Sequence, residues 1–458
     1  MTRRLHASWA LLPTGWERDV AIAIAADGRI EALDIGVARG ASEDAGGPVI
    51  PAMPNVHSHA FQRAVAGRTG HAGASCEDSF WTWRQSMYRF IDRLDPDAFE
   101  AIAAQAYVEM LKSGYGAVAE FHYLHRDPKG RRYANPAEMS ERVLRAARDC
   151  GIGLTLLPVY YAHGGFGRTP PSPEQRRMLT TTDEFSALVA GLAPQARDAG
   201  AVLGVAPHSL RATTPEEIDA VLAVAPSPGP VHIHVAEQTR EVEECVAWSG
   251  KRPVEWLLER HPPDERWCYV HATHMTEAET RALAGSGAVA GLAPTTEADL
   301  GDGTFPAVLY TSIDGRWGVG SDSNAIVDPF VELRQLEYSQ RLVWRRRNLL
   351  HHGSNDGIGT SLWLAAAAGG ARACAIATGA IEPGCRADLV VLDASDPGLC
   401  GHGTATLLDA AIFGPSRAPV RHVMVAGAWR VRDGRHPREE SVLARFRDAV
   451  AANTLRAS

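Results

Sequence analysis

The sequence predicts an α/β protein, a (β/α)8 TIM-like barrel with a small β-sandwich domain formed by both termini. Three observations carry this prediction. Eight short apolar runs, each closed by a polar residue, recur between positions 48 and 323. Helical stretches separate them, and the two flanks alternate apolar and polar residues instead. Near-continuous apolar runs suit strands covered on both faces, as parallel strands are. Eight βα units over roughly 270 residues fit a closed barrel.

In chain order, residues 1–47 contain DVAIAIAADGRIEAL, with Asp27-Gly28 as a hairpin turn, and form the N-terminal part of the small β domain. The barrel spans 48–379. Its strands are expected in the runs at 48–59, 116–123, 151–161, 201–211, 230–237, 267–274, 287–294 and 316–323. Helices are expected over 96–113, 136–150, 182–199, 214–224, 240–260 and 276–286. Thr214 with Glu217, and Thr276 with Glu279, have the spacing of capping boxes. Residues 380–436 return to alternation, with Asp433-Gly434 as another turn, and complete the small domain; 437–458 read as a terminal helix.

Composition excludes several function classes. With 45% hydrophobic and 22% charged residues in 458, the chain is neither disordered nor fibrous. Its 46 basic and 54 acidic residues leave a net charge of −8, which argues against a general nucleic-acid or anionic-membrane binder. Arg345-Arg346-Arg347 is read as a solvated helix face. The longest small-apolar stretch, 362–381, contains Gly369, Gly370 and Arg372 and fails as a membrane span. The apolar stretch at the N-terminus is stopped by Pro13, so no secretory signal is expected. Cysteines 76, 150, 245, 268, 374, 385 and 400 are scattered without a C-x-x-C pair, which argues against a disulfide framework or a cysteine zinc site. A cytoplasmic protein is expected.

Reactive groups of such a barrel belong at the C-terminal ends of its strands. In His57-Ser58-His59 the two imidazoles, two residues apart on a strand, share one face and can reach one metal. His234 lies on the fifth run, two residues after His232, which is core or supports it; Asp322 ends the eighth after its Gly-Val-Gly segment. Singly, these residues would be hydrogen-bonded histidines and a turn aspartate. Together they are a four-ligand N/O set suited to zinc. Glu237, three residues beyond His234, can face a metal-bound water as general acid/base; the competing reading is a helix-start glutamate. At the sixth strand end His271 is preferred to His274, because it lies nearer the apolar strand.

These residues, with Ile381-Glu382-Pro383-Gly384 and Ala387-Asp388-Leu389-Val390, resemble the amidohydrolase superfamily. More narrowly, MPNVHSHAFQRAVAG (53–67), FWTWRQSMYRF (80–90), GYGAVAEFHYLH (114–125), APHSLRA (206–212), HVAEQTREVEEC (234–245) and GSDSN (320–324) resemble its formimidoylglutamate deiminases, over essentially the whole chain. The resemblance implies zinc ligation by His57, His59, His234 and Asp322, and catalytic roles for Glu237, His271 and Asp322. It implies substrate contacts from Gln62, Arg84, Tyr123, His208 and Arg211, with Arg89 an alternative to Arg84. Of only three lysines (112, 129 and 251) none ends a strand, so the carboxylated lysine that bridges two metals in related barrels is missing and one Zn2+ per subunit is expected. The implied substrate is a small molecule with two carboxylates, which two arginine forks would match. The implied reaction is deimination in histidine degradation, by a homodimer that binds neither nucleic acid nor membrane. A guanine or other heterocycle deaminase is the nearest alternative; an assembly protein on a decayed scaffold is the reading from another class.

Overall fold

A computed structural model describes residues 3–69, 78–351, 357–414 and 417–453. Eight parallel strand positions form the barrel. Seven are single strands of four to eight residues; the first three and last three are Met53–Ser58, Tyr115–His122, Gly153–Tyr160, Trp267–His271, Val289–Leu292 and Arg316–Val319. The fourth is split into Val202–Leu203 and Ala206–Pro207, and the fifth is Val231–Val235. All eight fall inside the apolar runs or start one residue before them. Parallel bridges at Val205–Val231 and Ser209–His234 join the fourth and fifth positions. The ring closes at Ser58–Asp322, where His59 N donates to Asp322 O and Asp322 N to His57 O, both at 2.9 Å.

The helices follow their local signals. Pro96–Ser113 begins at Asp95, whose side chain accepts from Ala98 N, and stops at Gly114 in the left-handed region (φ 106°). Both expected capping boxes are present: Thr214 with Glu217, and Thr276 with Glu279. The expected helix at 240–260 is two helices, Thr239–Ser249 and Pro253–Arg260. Gly250 (φ 75°) caps the first, and Pro253, lacking an N–H, starts the second at its first turn. No helix among the described residues is long and apolar enough to cross a membrane. The Ala-rich helix Ile358–Cys374 packs against the barrel so closely that a Cβ on Gly369 would lie 1.8 Å from Trp317 O.

The flanks read from sequence as a β-sandwich join in one hydrogen-bonded sheet. Its order is Ala428–Val431, Val420–Val425, Leu389–Leu392, Val49–Pro51, Arg3–Leu12, Gly15–Ile24, Ile30–Asp34, with Glu43–Asp44 paired to Arg3–Leu12. Val49–Pro51 is the central link: it pairs with strands from both ends of the chain, and two residues later the chain enters the first barrel strand. Leu5, Ile22, Val49, Leu389 and Met424 are fully buried in this sheet's own core. Buried Asp388 fastens the sheet to the barrel side, accepting from Thr378 Oγ1 at 2.6 Å, Arg386 Nε at 2.7 Å and Ala426 N at 2.8 Å. The terminal helix Glu439–Asn453 packs on Pro96–Ser113, with Lys112 and Glu439 paired at 2.7 Å.

Candidate active site

Strand alternation brings His57 and His59 to one face of the first strand, and barrel closure brings them to His234 and Asp322. His57 Nε2 lies 3.2 Å from His59 Nε2 and 3.0 Å from His234 Nε2. Asp322 Oδ1 lies 3.4 Å from the Nε2 of both His57 and His59. Ligands held ~2.0–2.1 Å from a tetrahedral cation stand roughly 3.3 Å from one another, so this spacing fits. Two of the rings are fixed from behind. His59 Nδ1 is 3.0 Å from Phe121 O, and His234 Nδ1 is 3.1 Å from His208 O. Donation to those carbonyls leaves each Nε2 unprotonated and facing the centre. Burial, reinforced by His57, lowers His59 to about 3; burial with His57 and His208 pushes His234 well below its ordinary value. Neutral imidazoles with lone pairs converging this closely repel unless a cation sits among them. Burial opposes the Asp322 charge, but hydrogen bonding from His57 and the charge favoured on His271 hold its carboxyl below the ordinary range.

Beside this cluster stands a chain of carboxyl and imidazole groups. His271 Nε2 is 3.7 Å from Glu237 Oε1 and 3.9 Å from Asp322 Oδ2, and its Nδ1 is 3.3 Å from Glu297 Oε1. Burial disfavours the imidazolium, but Glu237, Glu297 and Asp322 outweigh it and lift His271 to about 10. Burial, reinforced by Glu241, raises Glu237 against the pull of His271 and Arg211. His271 (φ 69°), Asp322 (φ 42°), Ala236 (φ 51°) and Asn324 (φ 55°) all hold left-handed backbone at the strand ends, strain that collects where a fold must aim side chains. His274, the alternative at this strand end, turns away and is 2.7 Å from Asp302 O. His232 is core, 2.8 Å from Ala373 O.

The remaining expected residues line the same pocket as His59, His234, Glu237, His271 and Asp322. Gln62 Nε2 donates to Tyr123 Oη at 2.9 Å, and Gln62 Oε1 is buried without a partner. His208 Nδ1 is 2.9 Å from Ser209 Oγ. Arg211 faces Glu237 Oε2 at 3.5 Å and Glu241 Oε2 at 3.7 Å. Arg84, on the helix Phe80–Ile91, reaches the pocket through Tyr88 and Tyr161, whereas Arg89 is exposed and bonded to Ser86.

Sequence reasoning missed the groups that aim these residues. Asn55 Oδ1 accepts from His57 N at 3.2 Å and Ser321 N at 3.1 Å. Asn324 Nδ2 donates to Ser58 Oγ, His59 O and Asp322 O at 3.0–3.1 Å. These two amides bind the first and eighth strands under the ligand cluster. Their signal lay inside the motifs at 53–67 and 320–324, as asparagines flanking the ligands. Glu297, from the helix Pro294–Leu300, carried no such signal.

Comparison with known proteins agrees with this geometry. The amidohydrolase family matches residues 49–430, and the N-terminal domain of formimidoylglutamate deiminase HutF matches residues 2–47. The formimidoylglutamate deiminase of Pseudomonas aeruginosa is 52% identical over 436 residues, 95% of this chain and 96% of its own length. The chain belongs to the amidohydrolase family, and within it to the formimidoylglutamate deiminases. An amidohydrolase crystal structure from Brucella melitensis superposes with a TM-score of 0.93 at 45% identity, covering 98% of this chain and 99% of that one. An adenosine deaminase from Xanthomonas campestris, crystallised with bound zinc, shares the fold at a TM-score of 0.80 and 22% identity, with 98% of each chain covered. The family is metal-dependent, and among the described residues His57, His59 and His234 form the one His/Cys/Asp/Glu group found close enough to hold an ion.

Proposed function

We propose that this chain hydrolyses N-formimidoyl-L-glutamate to N-formyl-L-glutamate and ammonia, with one Zn2+ per subunit held by His57, His59, His234 and Asp322. The observation that carries the reading is a single pocket in which His59, His234 and Asp322, with His57 buried directly behind them, meet an adjacent Glu237–His271 pair and two arginines. When bound, such a cation supplies Lewis acidity and brings the pKa of a ligated water towards ~7.

The chain's own residues do the rest. Asp322 Oδ2 and Glu237 Oε1 flank His271 Nε2 at 3.9 and 3.7 Å, so the three share the proton taken from the attacking water. Glu237, its carboxyl raised by burial, carries a proton to the terminal amidine nitrogen. Water adds to the amidine carbon, the bond from that carbon to the terminal nitrogen breaks, and ammonia leaves. Glu297 at His271 Nδ1 keeps the ring oriented through the transfer. Gln62 faces the amidine, Tyr123 and His208 contact the substrate from the same pocket wall, and the arginines meet the carboxylates. The segment 48–379, the barrel with the sheet strand Val49–Pro51 at its entrance, is the catalytic unit in this reading, and the enzyme is a cytoplasmic homodimer; light scattering of the purified protein tests the dimer.

Turnover of N-formimidoyl-L-glutamate by metal-assayed protein tests the proposal. Ammonia and formylglutamate should appear in equal amounts. Formamide with glutamate, or no turnover at full metal content, would overturn it.

A further inference from the structure

Two arginines reach the pocket, and their charges are not equally met. Arg211 is buried and already faces two carboxylates, Glu237 and Glu241. Arg84 is partly buried and has no carboxylate within 4.0 Å among the described residues. Its guanidinium instead donates through Nε to Tyr88 Oη and through Nη2 to Tyr161 Oη at 3.2 Å. Tyr161 Oη also accepts from Gln175 Nε2 at 2.6 Å, and Gln175 is itself pinned by Ser172 N at 2.7 Å.

A phenol carries one O–H donor beside its acceptor lone pairs. Tyr161 Oη accepts from two donors and Tyr88 Oη from one, so each hydroxyl hydrogen remains to be donated. Burial, reinforced by Tyr161, pushes the Tyr88 phenol above its ordinary value, which keeps that proton in place. Both rings line the pocket at 7% and 3% exposure, and the Tyr161 ring lies 4.6 Å from that of His208. The wall therefore presents a guanidinium with no carboxylate partner among the described residues, flanked by two phenolic donors. A planar carboxylate, which takes several hydrogen bonds on two oxygens, is the complementary group.

Resting on the dicarboxylate amidine reading above, we propose that Tyr88 and Tyr161 are specificity-determining residues: with Arg84 they form a three-donor cradle for one substrate carboxylate. Gln175 is the positioning residue that turns Tyr161 towards the anion. The cradle rejects a substrate lacking that carboxylate, because a neutral group would leave the guanidinium and both hydroxyls unpaired.

The test uses Tyr88→Phe and Tyr161→Phe in the metal-loaded full chain, with three substrates: N-formimidoyl-L-glutamate, N-formimidoyl-2-aminobutyrate and N-formimidoyl-4-aminobutyrate. Each analogue lacks one of the two carboxylates. A lost hydrogen bond to a charged group corresponds to about tenfold to a hundredfold. Each Phe variant should therefore shrink the kcat/KM preference for the dicarboxylate over one analogue by that factor, with KM carrying most of it. The preference over the other analogue should hold. An equal fall for all three substrates would show a merely structural role and overturn the proposal. Calorimetric titration with glutarate separates this claim from the proposed reaction. Glutarate binding weakened at least tenfold by the Phe variants supports the cradle, whether or not formimidoylglutamate is turned over. Glutarate that binds all three proteins alike, or does not bind the wild type, refutes it.

Discussion

Glu237 stands between the imidazolium-favouring His271 at 3.7 Å and the guanidinium of Arg211 at 3.5 Å, in a place where burial resists its charge. A carboxyl so balanced can both accept and return a proton. Glu237→Gln should lower kcat by about 10²–10⁴-fold and leave metal content unchanged, since Glu237 is outside the proposed ligand set; steady-state rates with metal analysis check both. The arginines divide in the same way. Removing the Arg211 charge with Arg211→Met strands two buried carboxylates and should lower stability by about 3 kcal/mol as well as activity, read by urea unfolding. Arg84→Met strands none among the described residues, so its effect should fall on KM for the dicarboxylate rather than on the unfolding midpoint. The two arginines are alike in the sequence. Their difference depends on Glu241, Tyr88 and Tyr161, which reach them only through the folded barrel.

Element-level legibility followed the range of the interactions. His57, His59, His234 and Asp322 could be placed from strand period and strand ends, because both are local properties of the chain. The helix break at Gly250 and Pro253 is also local and was readable from those two residues, yet the apolar pattern on either side ran across it. Glu297 was not legible, since it matters only through His271 on a separate strand; Asn324 was visible only as an asparagine beside Asp322, and its bonds to Ser58 and His59 exist only in the closed barrel. The seam between the first and eighth strands shows how tightly such contacts are set. A Cβ on Gly320 would lie 2.7 Å from both the N and the O of His57. Gly320→Ala should shift His57, weaken zinc retention against a chelator, and destabilise the fold by about 1–3 kcal/mol. A variant with wild-type zinc affinity would show that the seam does not position the ligands.

For the whole molecule, alternation at both ends of the chain indicated that the termini would share a sheet. It could not indicate that Val49–Pro51 would join that sheet as its central strand, because those three residues carry the same apolar character as the barrel run they precede. This junction makes the two cores one mechanical unit, with Asp388 as its buried polar tie. Asp388→Ala leaves the Arg386 guanidinium without its carboxylate partner and should cost about 3–5 kcal/mol of stability. Below the variant's unfolding range, KM for formimidoylglutamate should match the wild type, because Asp388 does not line the pocket.

Zinc titration into metal-stripped protein, with bound metal and deimination rate followed together, tests the central claim most directly. A four-ligand site built from His57, His59, His234 and Asp322 predicts that turnover of N-formimidoyl-L-glutamate rises linearly and breaks at one equivalent per chain. A break at two equivalents, or full turnover in protein holding less than half an equivalent, would contradict it.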